Sequence, residues 1–527
     1  MSNQIFVTMK KAVFLCFFSL TYIAQVAAQN YSEDIAGIIY THCSNCHRAG
    51  EIGPFPLTNF NEVKDRGQII KFATSIKYMP PWKPDPSYKN YQHENYLTDA
   101  EIASIGRWVD NGMPQGDPTK EPAFPNFPKG SQIGTPDLTL TFAEAYTHKG
   151  NFNDEYRYFV LPTNLTSDKD LVALEMRPGN NNIVHHTLFW ADASGKAKAA
   201  DDATPEYGYE GGGIQGLLLG EQLPGYVPGQ KPNIYTNGMG QKLTKGSDLV
   251  LQMHYAPTGV DEKDSSVVNL FFAKTPARRT VRNHIMLPNS LVNGPFKIPR
   301  DQVKEFHGVF KVPLKVSLLG IWPHCHMLGK KWEVYAITPT GEKINLIKIS
   351  DWDFNWQGGY YFKNLVVLPV NSEIHAFATY DNTVDNPVNP NNPTKDVEWG
   401  EGTADEMFYL PISYVLYEPG DEKLILNNSD PKYEDIGIQN INSKIYPVFP
   451  NPSNSELKVG FVLNKDQNIS LDICTASGEK LKTAIQTKNY LQGQHVEYLK
   501  LDDIIPGVYY LRLHTSEGVL TEKFVKY

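Results

Sequence analysis

Three residues near the N-terminus have the spacing that covalent haem attachment requires. Cys43-Ser-Asn-Cys46-His47 is a C-x-x-C-H pattern, in which two thiols add to the vinyl groups of a porphyrin and the adjacent histidine becomes an axial iron ligand. A dithiol redox pair or a structural disulfide is the alternative, and both would leave His47 without a role. The pattern therefore predicts a covalently bound haem c.

A methionine further along the chain is expected to complete the coordination of this haem. A thioether ligand raises the potential of the iron, and Met79 in a Met-Pro-Pro-Trp loop is the predicted ligand, with Met113 as the alternative. Residues 30–120 resemble a small c-type cytochrome domain, because the C-x-x-C-H pattern precedes this loop and a closing helix. The resemblance implies that this region transfers electrons.

Histidines that could bind a metal follow in two groups within the first half of the next region. The pair His185-His186 is a weak signal, because neighbours on a regular strand point to opposite faces and can share one ion only at a strand end or a bulge. In Leu251-Gln-Met-His-Tyr255, strand alternation places Gln252 and His254 on one face. Taken alone, His254 is as readily interpreted as a buried structural histidine.

The triplet His324-Cys-His326 has a spacing that suits a metal directly. Residues i and i+2 project from the same face of a strand, so both rings can converge on one ion while Cys325 faces away. We expect Cys325 to be a packed thiol, although a thiolate ligand for soft copper is the alternative.

The order of these groups resembles the copper type II monooxygenases, the family of dopamine β-monooxygenase and the peptidylglycine hydroxylating enzyme. The resemblance covers roughly residues 138–420 and continues through Trp352-Asp-Phe-Asn-Trp-Gln357, Tyr380-Asp-Asn382 and Gly402-Thr-Ala-Asp-Glu-Met407. It implies two copper ions, each with its own ligand set. The first set, which would store and deliver an electron, is His185, His186 and His254. The second set, where dioxygen and substrate would meet, is His324, His326 and Met407.

Ligand chemistry agrees with this assignment. Imidazole serves both oxidation states of copper, and a thioether such as that of Met407 favours Cu(I). Gln252 matches a family position beside the first copper. No catalytic residue is expected beyond the copper ligands and this glutamine.

The predicted function is that of an exported dicopper monooxygenase, an oxidoreductase that hydroxylates an organic C–H bond with O2. Inserting one oxygen atom and reducing the other to water needs two electrons beyond those of the substrate, which two Cu(I) centres hold. The fused haem, a small reductant or a redox protein would then reduce the metals again. A non-catalytic haem–copper electron-transfer or copper-binding protein is the alternative, and a cell-surface binding protein with structural histidines is a third interpretation.

The substrate stays open, as an unknown small organic molecule or peptide. The positions two and four beyond Met407, which are polar in the amidating enzyme, are Tyr409 and Pro411 here, so peptide amidation is not supported. Aromatic residues that could line a cleft, but that a sandwich more often buries in its core, are Trp352, Trp356, Tyr360 and Tyr361.

The elements that must position these residues are mainly β. From Leu138 to about Leu424 apolar residues alternate in short runs separated by Gly, Pro and Asn turns, which predicts two tandem antiparallel, jelly-roll-like β-sandwich copper domains at 138–290 and 291–425. A Pro-rich linker at 121–137 separates them from a small all-α cytochrome c domain at 30–120. A second linker is expected at 426–442.

The two ends of the chain indicate export. Lys10-Lys11, an apolar run and Val26-Ala-Ala28 fit a signal peptide over residues 1–28, although a membrane anchor is the alternative. Residues 443–527 resemble the type IX secretion sorting domain of Bacteroidetes, a small β-sandwich, with an ordinary carbohydrate-binding or adhesion sandwich as the alternative. We therefore expect a protein that passes through the periplasm, is secreted or held at the cell surface, and meets the type IX machinery.

Composition excludes other partners. The net charge is −9 with no long basic run, so nucleic acid is a poor partner. No later segment is apolar and long enough to span a bilayer, so we expect no stable membrane insertion.

Overall fold

The computed structural model describes residues 29–527 except 129, 211–219, 427–442, 447 and 449. The predicted signal peptide and almost all of the predicted linker at 426–442 lie outside the described residues. The described part is mainly β, as the sequence predicts. Among these residues, no helix has the length and apolar character needed to cross a membrane.

The N-terminal region is helical. A π-helical turn at Tyr31–Ile35 precedes four helices, α1 (Ala36–His42), α2 (Phe60–Asp65), α3 (Gly67–Ser75) and α4 (Asp99–Asp110). Thr98 and Glu101 form a capping box at the start of α4. The Thr98 hydroxyl accepts a hydrogen bond from the backbone amide of Glu101, and the Glu101 carboxylate accepts one from the backbone amide of Thr98. Trp108 is fully buried beside Tyr31, in one small apolar core that the helices share.

The segment that joins α3 to α4 leaves this helical core. Pro84 and Tyr91 form isolated bridges with strands of the second sandwich, and the Tyr91 hydroxyl donates to the carbonyl of Leu346 at 2.7 Å. Tyr91 is buried in the core of that sandwich and Trp82 packs against it. The expected self-contained all-α domain over 30–120 is therefore not shown, because part of its chain is built into the β region.

The first sandwich packs two five-stranded sheets, ordered β1-β11-β4-β8-β12 and β6-β3-β9-β5-β7, with helix α5 (Lys196–Asp202) after β5. Its strands are β1 (Leu138–Thr141), β2 (Tyr146–His148), β3 (Glu155–Pro162), β4 (Lys169–Arg177), β5 (Val184–Asp192), β6 (Tyr209–Glu210), β7 (Glu221–Tyr226), β8 (Met239–Leu243), β9 (Asp248–Tyr255), β10 (Glu262–Asp264), β11 (Val267–Phe272) and β12 (Arg279–Thr280). The inner faces of these sheets bury a core that includes Phe159, Phe189 and Leu251.

The second sandwich packs two four-stranded sheets, ordered β13-β22-β16-β19 and β15-β20-β17-β18. Its strands are β13 (Arg282–Met286), β14 (Lys297–Ile298), β15 (Val303–Lys311), β16 (Val316–Ile321), β17 (Gly329–Ile337), β18 (Lys343–Ile349), β19 (Tyr360–Leu368), β20 (Glu373–Asp381), β21 (Val397–Glu398) and β22 (Leu410–Leu416). Strand β13 pairs with β22. The passage between the sandwiches therefore falls near Val281, earlier than the predicted boundary at 290, because the alternating pattern does not show which sheet a strand joins.

A buried ion pair joins the two sandwiches. Arg279, at the end of the first sandwich, donates from both terminal nitrogens to the carboxylate of Asp421 at 2.8 and 2.6 Å. The same guanidinium donates to the carbonyl of Leu416, and Ser317 donates to Asp421. A buried charge paired through two parallel hydrogen bonds fixes the geometry of the groups around it.

The chain ends in a third sandwich. Its strands are β23 (Lys444–Ile445), β24 (Glu456–Leu463), β25 (Gln467–Thr475), β26 (Lys480–Tyr490), β27 (Gly493–Lys500), β28 (Gly507–Thr515) and β29 (Gly518–Lys526). They form one sheet ordered β23-β24-β27 and another ordered β26-β25-β28-β29 around a separate apolar core.

Candidate metal centre

A bulge in β5 allows neighbouring histidines to face the same point. The register between β5 and β9 shifts between Val184 and His186, and His186 lies directly opposite His254. The extra residue in the bulge is His185, so its side chain does not follow the alternation of the strand. The strand irregularity that a His-His pair needs in order to bind one ion is therefore present.

The three histidine rings bring one nitrogen each to a common point. The Nδ1 atom of His185 lies 3.1 Å from Nδ1 of His186 and 3.1 Å from Nδ1 of His254, and the last two are 3.3 Å apart. Ligand nitrogens at this separation surround an ion bound at about 2.0 Å with near-tetrahedral angles. Among the described residues, these three histidines form the group of potential ligand side chains whose donor atoms lie close enough together to hold a metal ion.

The three Nδ1 atoms are placed better for binding a cation than for hydrogen bonding with one another. Each Nδ1 atom carries either a proton or a lone pair, so at least two of the three must face each other in the same state. Such a contact between buried groups is unfavourable unless a cation lies between them. The geometry therefore fits a bound metal ion.

Asp154 and Tyr156 hold the ring of His254. The Nε2 atom of His254 donates to Asp154 Oδ1 at 2.6 Å, which leaves the lone pair on Nδ1 and so selects the tautomer that can bind a metal. The ring of Tyr156 stacks on the imidazole, with centroids 4.2 Å apart and planes 7° apart. The Tyr156 hydroxyl is hydrogen-bonded to Thr403 of the second sandwich.

Burial favours the neutral form of four histidines, His185, His186, His324 and His326. It lowers the pKa of His185 to about 4 and the pKa of His186 well below its ordinary value, and neighbouring imidazoles add to the effect. Burial likewise lowers the pKa of His326 to about 4 and the pKa of His324 well below its ordinary value. Neutral rings offer the lone pairs that a metal requires.

The second set lies beyond the end of a strand. Strand β16 ends at Ile321, so the expectation that His324 and His326 lie on a regular strand is wrong. His324 instead forms an isolated bridge with Tyr409. The ring centroids of His324 and His326 are 5.2 Å apart, with the ring planes at 87°. His326 Nδ1 donates to the carbonyl of Asp405 at 3.1 Å, which leaves its Nε2 free to bind a metal.

The carboxyl group of Glu406 organises this loop. It is completely buried and accepts hydrogen bonds from the backbone amides of His326, Leu328 and Met407 at 2.7, 2.7 and 3.1 Å. Burial raises its pKa to about 8, although the amide donors favour the charged form. One side chain therefore ties the His-x-His turn to the segment that carries the predicted methionine ligand.

Met407 and Cys325 lie on different sides of this turn. Met407 is nearly buried and lines the same cleft as His324 and His326, and its carbonyl accepts from Tyr380 at 2.8 Å. Cys325 points into the core, where Trp332 donates to its sulfur at 3.2 Å. Burial raises the pKa of the Cys325 thiol. The thiol is therefore placed for packing and not for metal binding.

Both sets face one cleft. The rings of His186 and His324 have centroids 6.3 Å apart. The ring of Phe354 lies 5.5 Å from His185, 6.1 Å from His254 and 5.9 Å from His326. The loop between β18 and β19 therefore covers both sets at once.

Gln252 lies in the wall of this cleft, without a hydrogen bond to a histidine ring. Its Nε2 atom donates to the Tyr158 hydroxyl at 2.7 Å and to Glu401 Oε2 at 3.2 Å. Burial raises the pKa of Glu401 to about 7. Most of the remaining wall of the cleft is aromatic or aliphatic, including Trp190, Leu223, Trp322, Tyr409 and Pro411.

The haem motif begins where helix α1 ends. His47 Nδ1 donates to the carbonyl of Phe55 at 3.0 Å, so its Nε2 atom is the one available to a metal. Burial raises the pKa of Cys43 to about 12 and that of Cys46 to about 11, the opposite of what a redox-active dithiol needs. Both thiols are free.

Apolar side chains of the helical region lack a protein cover. On and just beyond α3, Ile69, Phe72 and Ile76 are 52, 65 and 56% exposed. Met79 follows this surface and is half-buried, whereas Met113 packs against the helical core, its sulfur beside Gly67. Free cysteines, an oriented histidine and an uncovered apolar surface together fit a haem. The choice of Met79 over Met113 stays a prediction.

The C-terminal sandwich matches a known family. Residues 447–527 match the family described as secretion system C-terminal sorting domain. The chain ends in a type IX sorting domain. The protein is therefore secreted or displayed at the cell surface through this route, and the sorting domain is the part that interacts with the secretion machinery.

No other comparison identifies the remainder of the chain. No curated protein matches it. Solved structures with local likeness include β-D-mannosidase from Dictyoglomus thermophilum, 12% identical over 43% of this chain and 29% of that chain, with a TM-score of 0.13. β-D-Glucuronidase from the same organism is 10% identical over 48% and 44%, also at 0.13. The chain spans less than half the length of each enzyme, and likeness at this TM-score carries no argument.

Several residues that build the site were absent from the sequence predictions. They are Asp154, Tyr156, Phe354, Glu401 and Glu406. Glu406 directly precedes the predicted ligand Met407, and Phe354 lies within the motif Trp352–Gln357. Both could therefore have been suspected from their positions in the sequence. Asp154 is 100 residues from His254, and no local pattern joins them.

Proposed function

We propose that the protein is an exported dicopper monooxygenase that hydroxylates an organic C–H bond with O2. The observation that carries the proposal is the convergence of three imidazole nitrogens within 3.3 Å of one another. A second set, with two histidines and a methionine, faces the same cleft. Imidazole and thioether ligands together suit copper better than zinc.

The chain supports this chemistry by positioning and by keeping the cleft apolar. Copper in the two sets would supply the redox chemistry that O2 activation needs. Asp154 holds the proton of His254 on Nε2 and so keeps Nδ1 available. Glu406 fixes the backbone of the second set through its three amide contacts.

The cleft suits a small organic substrate. Its wall is largely apolar with a few polar groups, as in sites that bind small organic molecules. Tyr409 and Pro411 lie in this wall, where the amidating enzyme's polar positions would fall. An apolar group of the substrate would exclude water from the space between the two sets.

The haem motif supports an electron-supplying role for the N-terminal region. Cys43, Cys46 and His47 would hold a haem c with the free Nε2 of His47 facing the iron. Electrons would reach the copper sets through this haem, from a small reductant, or from both.

The test is oxygen incorporation. Copper-loaded protein is supplied with a reductant, ¹⁸O₂ and a set of small aromatic, aliphatic and peptide compounds, and products are analysed by mass spectrometry. We expect one ¹⁸O atom in a product formed by the native protein and none with His324→Ala. Copper binding without incorporation for any compound would favour the alternative, a haem–copper electron-transfer protein.

A further inference from the structure

The loop that carries Phe354 covers both metal sets from one side. This loop, residues 350–359, joins β18 to β19, and the Phe354 ring stacks on the imidazole of His185 with planes 26° apart. The same ring lies near His254 and His326. Phe354 is half-buried, so part of its ring faces solvent. A small molecule that approaches the two sets from this side must therefore pass Phe354.

A segment of the helical region holds both ends of this loop. The segment is residues 82–92, which come shortly after the predicted methionine ligand of the haem. At the β18 end, the amide of Asp85 donates to the carbonyl of Lys348 at 2.8 Å. At the β19 end, the amide of Gln92 donates to the carbonyl of Tyr361 at 2.7 Å. The base of the loop is therefore fixed to the helical region.

One side chain of this segment reaches into the loop itself. The Nζ atom of Lys83 lies 3.2 Å from Asp351 Oδ2 and 3.6 Å from Asp353 Oδ2. The side chain of Lys83 is 9% exposed, that of Asp353 is 18% exposed and that of Asp351 is 91% exposed. Water and salt screen a shielded pair less than an exposed one, so the contact between Lys83 and Asp353 is the stronger constraint.

Asp353 passes this constraint to Phe354, the next residue. Its Oδ1 atom accepts from the amide of Asn355 at 3.0 Å, while its Oδ2 atom faces Lys83. Its carbonyl accepts from the amide of Trp356 at 2.9 Å. An aspartate that binds the backbone two residues further on stabilises a tight turn. Lys83 therefore holds the carboxylate that shapes the turn in which Phe354 lies.

The start of the loop has a separate anchor. Trp352 is buried, and its Nε1 atom donates to the carbonyl of His326 at 3.2 Å. Its amide donates to the carbonyl of Lys330 at 2.9 Å. The loop should therefore stay folded when Lys83 is replaced, and only the turn around Phe354 should loosen.

We propose that the helical region positions Phe354 as a cover over the two metal sets, with Lys83 as the positioning residue. The region that carries the haem motif thereby also sets how readily small molecules reach the metals. The inference deepens the proposed function and rests on it, since a cover of this kind matters only where the two sets bind copper.

A cover has a kinetic signature that separates it from damage to the ligands. It slows the entry and the exit of a small molecule alike, as lid loops do at other sites. Its removal should therefore raise the rates of copper loading and copper removal together and leave the equilibrium affinity unchanged. Distortion of the ligands would lower the affinity instead.

The experiment measures these rates in the full-length, haem-containing, copper-loaded protein. Copper content, haem spectrum and thermal midpoint are first compared for native protein, Phe354→Ala, Lys83→Met and Lys83→Arg. Copper removal by the bulky Cu(I) chelator bathocuproine disulfonate is then followed under anaerobic, reducing conditions, and copper loading is followed in the reverse direction. Lys363→Met is the matched control, because Lys363 forms an ion pair with Glu94 of the helical region from β19, outside the loop.

We expect removal and loading to be about tenfold faster in Phe354→Ala and several-fold faster in Lys83→Met, with equal affinities. Lys83→Arg and Lys363→Met should behave as native protein does. Native rates in Phe354→Ala would show that this residue is no cover. Equal rates in Lys83→Met and Lys363→Met would show that Lys83 does not position it. Either result would overturn the inference and leave the proposed function intact.

Absence of copper from native protein would overturn the proposed function, and the position of Phe354 is then tested without metal. Diethyl pyrocarbonate modifies accessible neutral imidazoles, and peptide mass spectrometry gives the rate at each histidine of the copper-free chain. Positioning by Lys83 predicts faster modification of His185 and His254 in Phe354→Ala and Lys83→Met than in native protein. Equal rates in all three proteins would overturn the inference as well.

Discussion

The two metal sets are built in different ways. The three-histidine set lies on paired strands of one sheet, where the β5–β9 register and one bulge bring the ring nitrogens together. The set with His324 and His326 lies on a turn beyond a strand, tied to Met407 by the carboxyl of Glu406. The difference teaches that sheet register can preform one site, while a single buried acid must hold the other.

The largest effect should come from a ligand of the preformed set. In His254→Ala, copper content should fall from about two to about one per haem, because two nitrogens remain where three converged. Elemental analysis against haem absorbance measures this. His148→Ala, which removes a buried histidine bound to Glu155 in the same sandwich, should keep both copper ions. Equal losses in the two variants would mean that copper content reports folding alone.

Asp154→Asn should weaken copper binding at the three-histidine set alone. Loss of the carboxylate that orients a metal-binding histidine typically weakens binding by about 10–100-fold. We expect this reduction at the three-histidine set and no change at the second, measured by titration with a copper chelator. A uniform reduction at both sets would show that Asp154 does not act through His254.

Glu406→Gln should disturb the second set instead. The glutamine side chain can accept hydrogen bonds only at its oxygen, so at least one of the three backbone amides that donate to Glu406 loses its partner. This should lower the free energy of unfolding by about 1–3 kcal/mol. Copper should be lost selectively from the second set, as followed by chelator titration and thermal unfolding. Asp421→Asn provides the control, since it damages a buried acid away from both sets. Selective loss in the control as well would refute a specific role for Glu406.

The smallest effect concerns Glu401, which links the loop of the second sandwich to Gln252 of the first. Its raised pKa of about 7 means that the folded protein keeps it protonated between pH 5 and 7, where the unfolded chain ionises it. Its contribution to stability is therefore greatest at low pH and is lost as pH rises to 7. The thermal midpoint of the native protein should therefore fall relative to that of Glu401→Gln as the pH rises from 5 to 7. Parallel curves for the two proteins would contradict this.

Local spacing was enough to predict some parts of the molecule. The alternating strands and the sorting domain each depend on residues close together in sequence. The capping box of α4 is likewise local, because Thr98 and Glu101 are three residues apart. These features need no knowledge of how distant segments meet.

Other parts depend on contacts that no local pattern contains. The insertion of Tyr91 into the second sandwich joins residues more than 250 apart. Asp154 reaches His254 across two paired strands, and the turn that carries His324 depends on Glu406 about 80 residues later. A period-two pattern identifies a strand but not its end, which is why His324 and His326 were expected on β16.

The central claim is that two copper ions and one haem belong to the same chain. The most direct test is the copper-to-haem ratio of the purified, copper-loaded protein, measured by elemental analysis against haem absorbance. The account predicts a ratio near two, falling to about one in Met407→Ala or His324→Ala. A ratio near zero after careful loading would contradict it and leave an exported haem protein with two sandwiches that bind something other than copper.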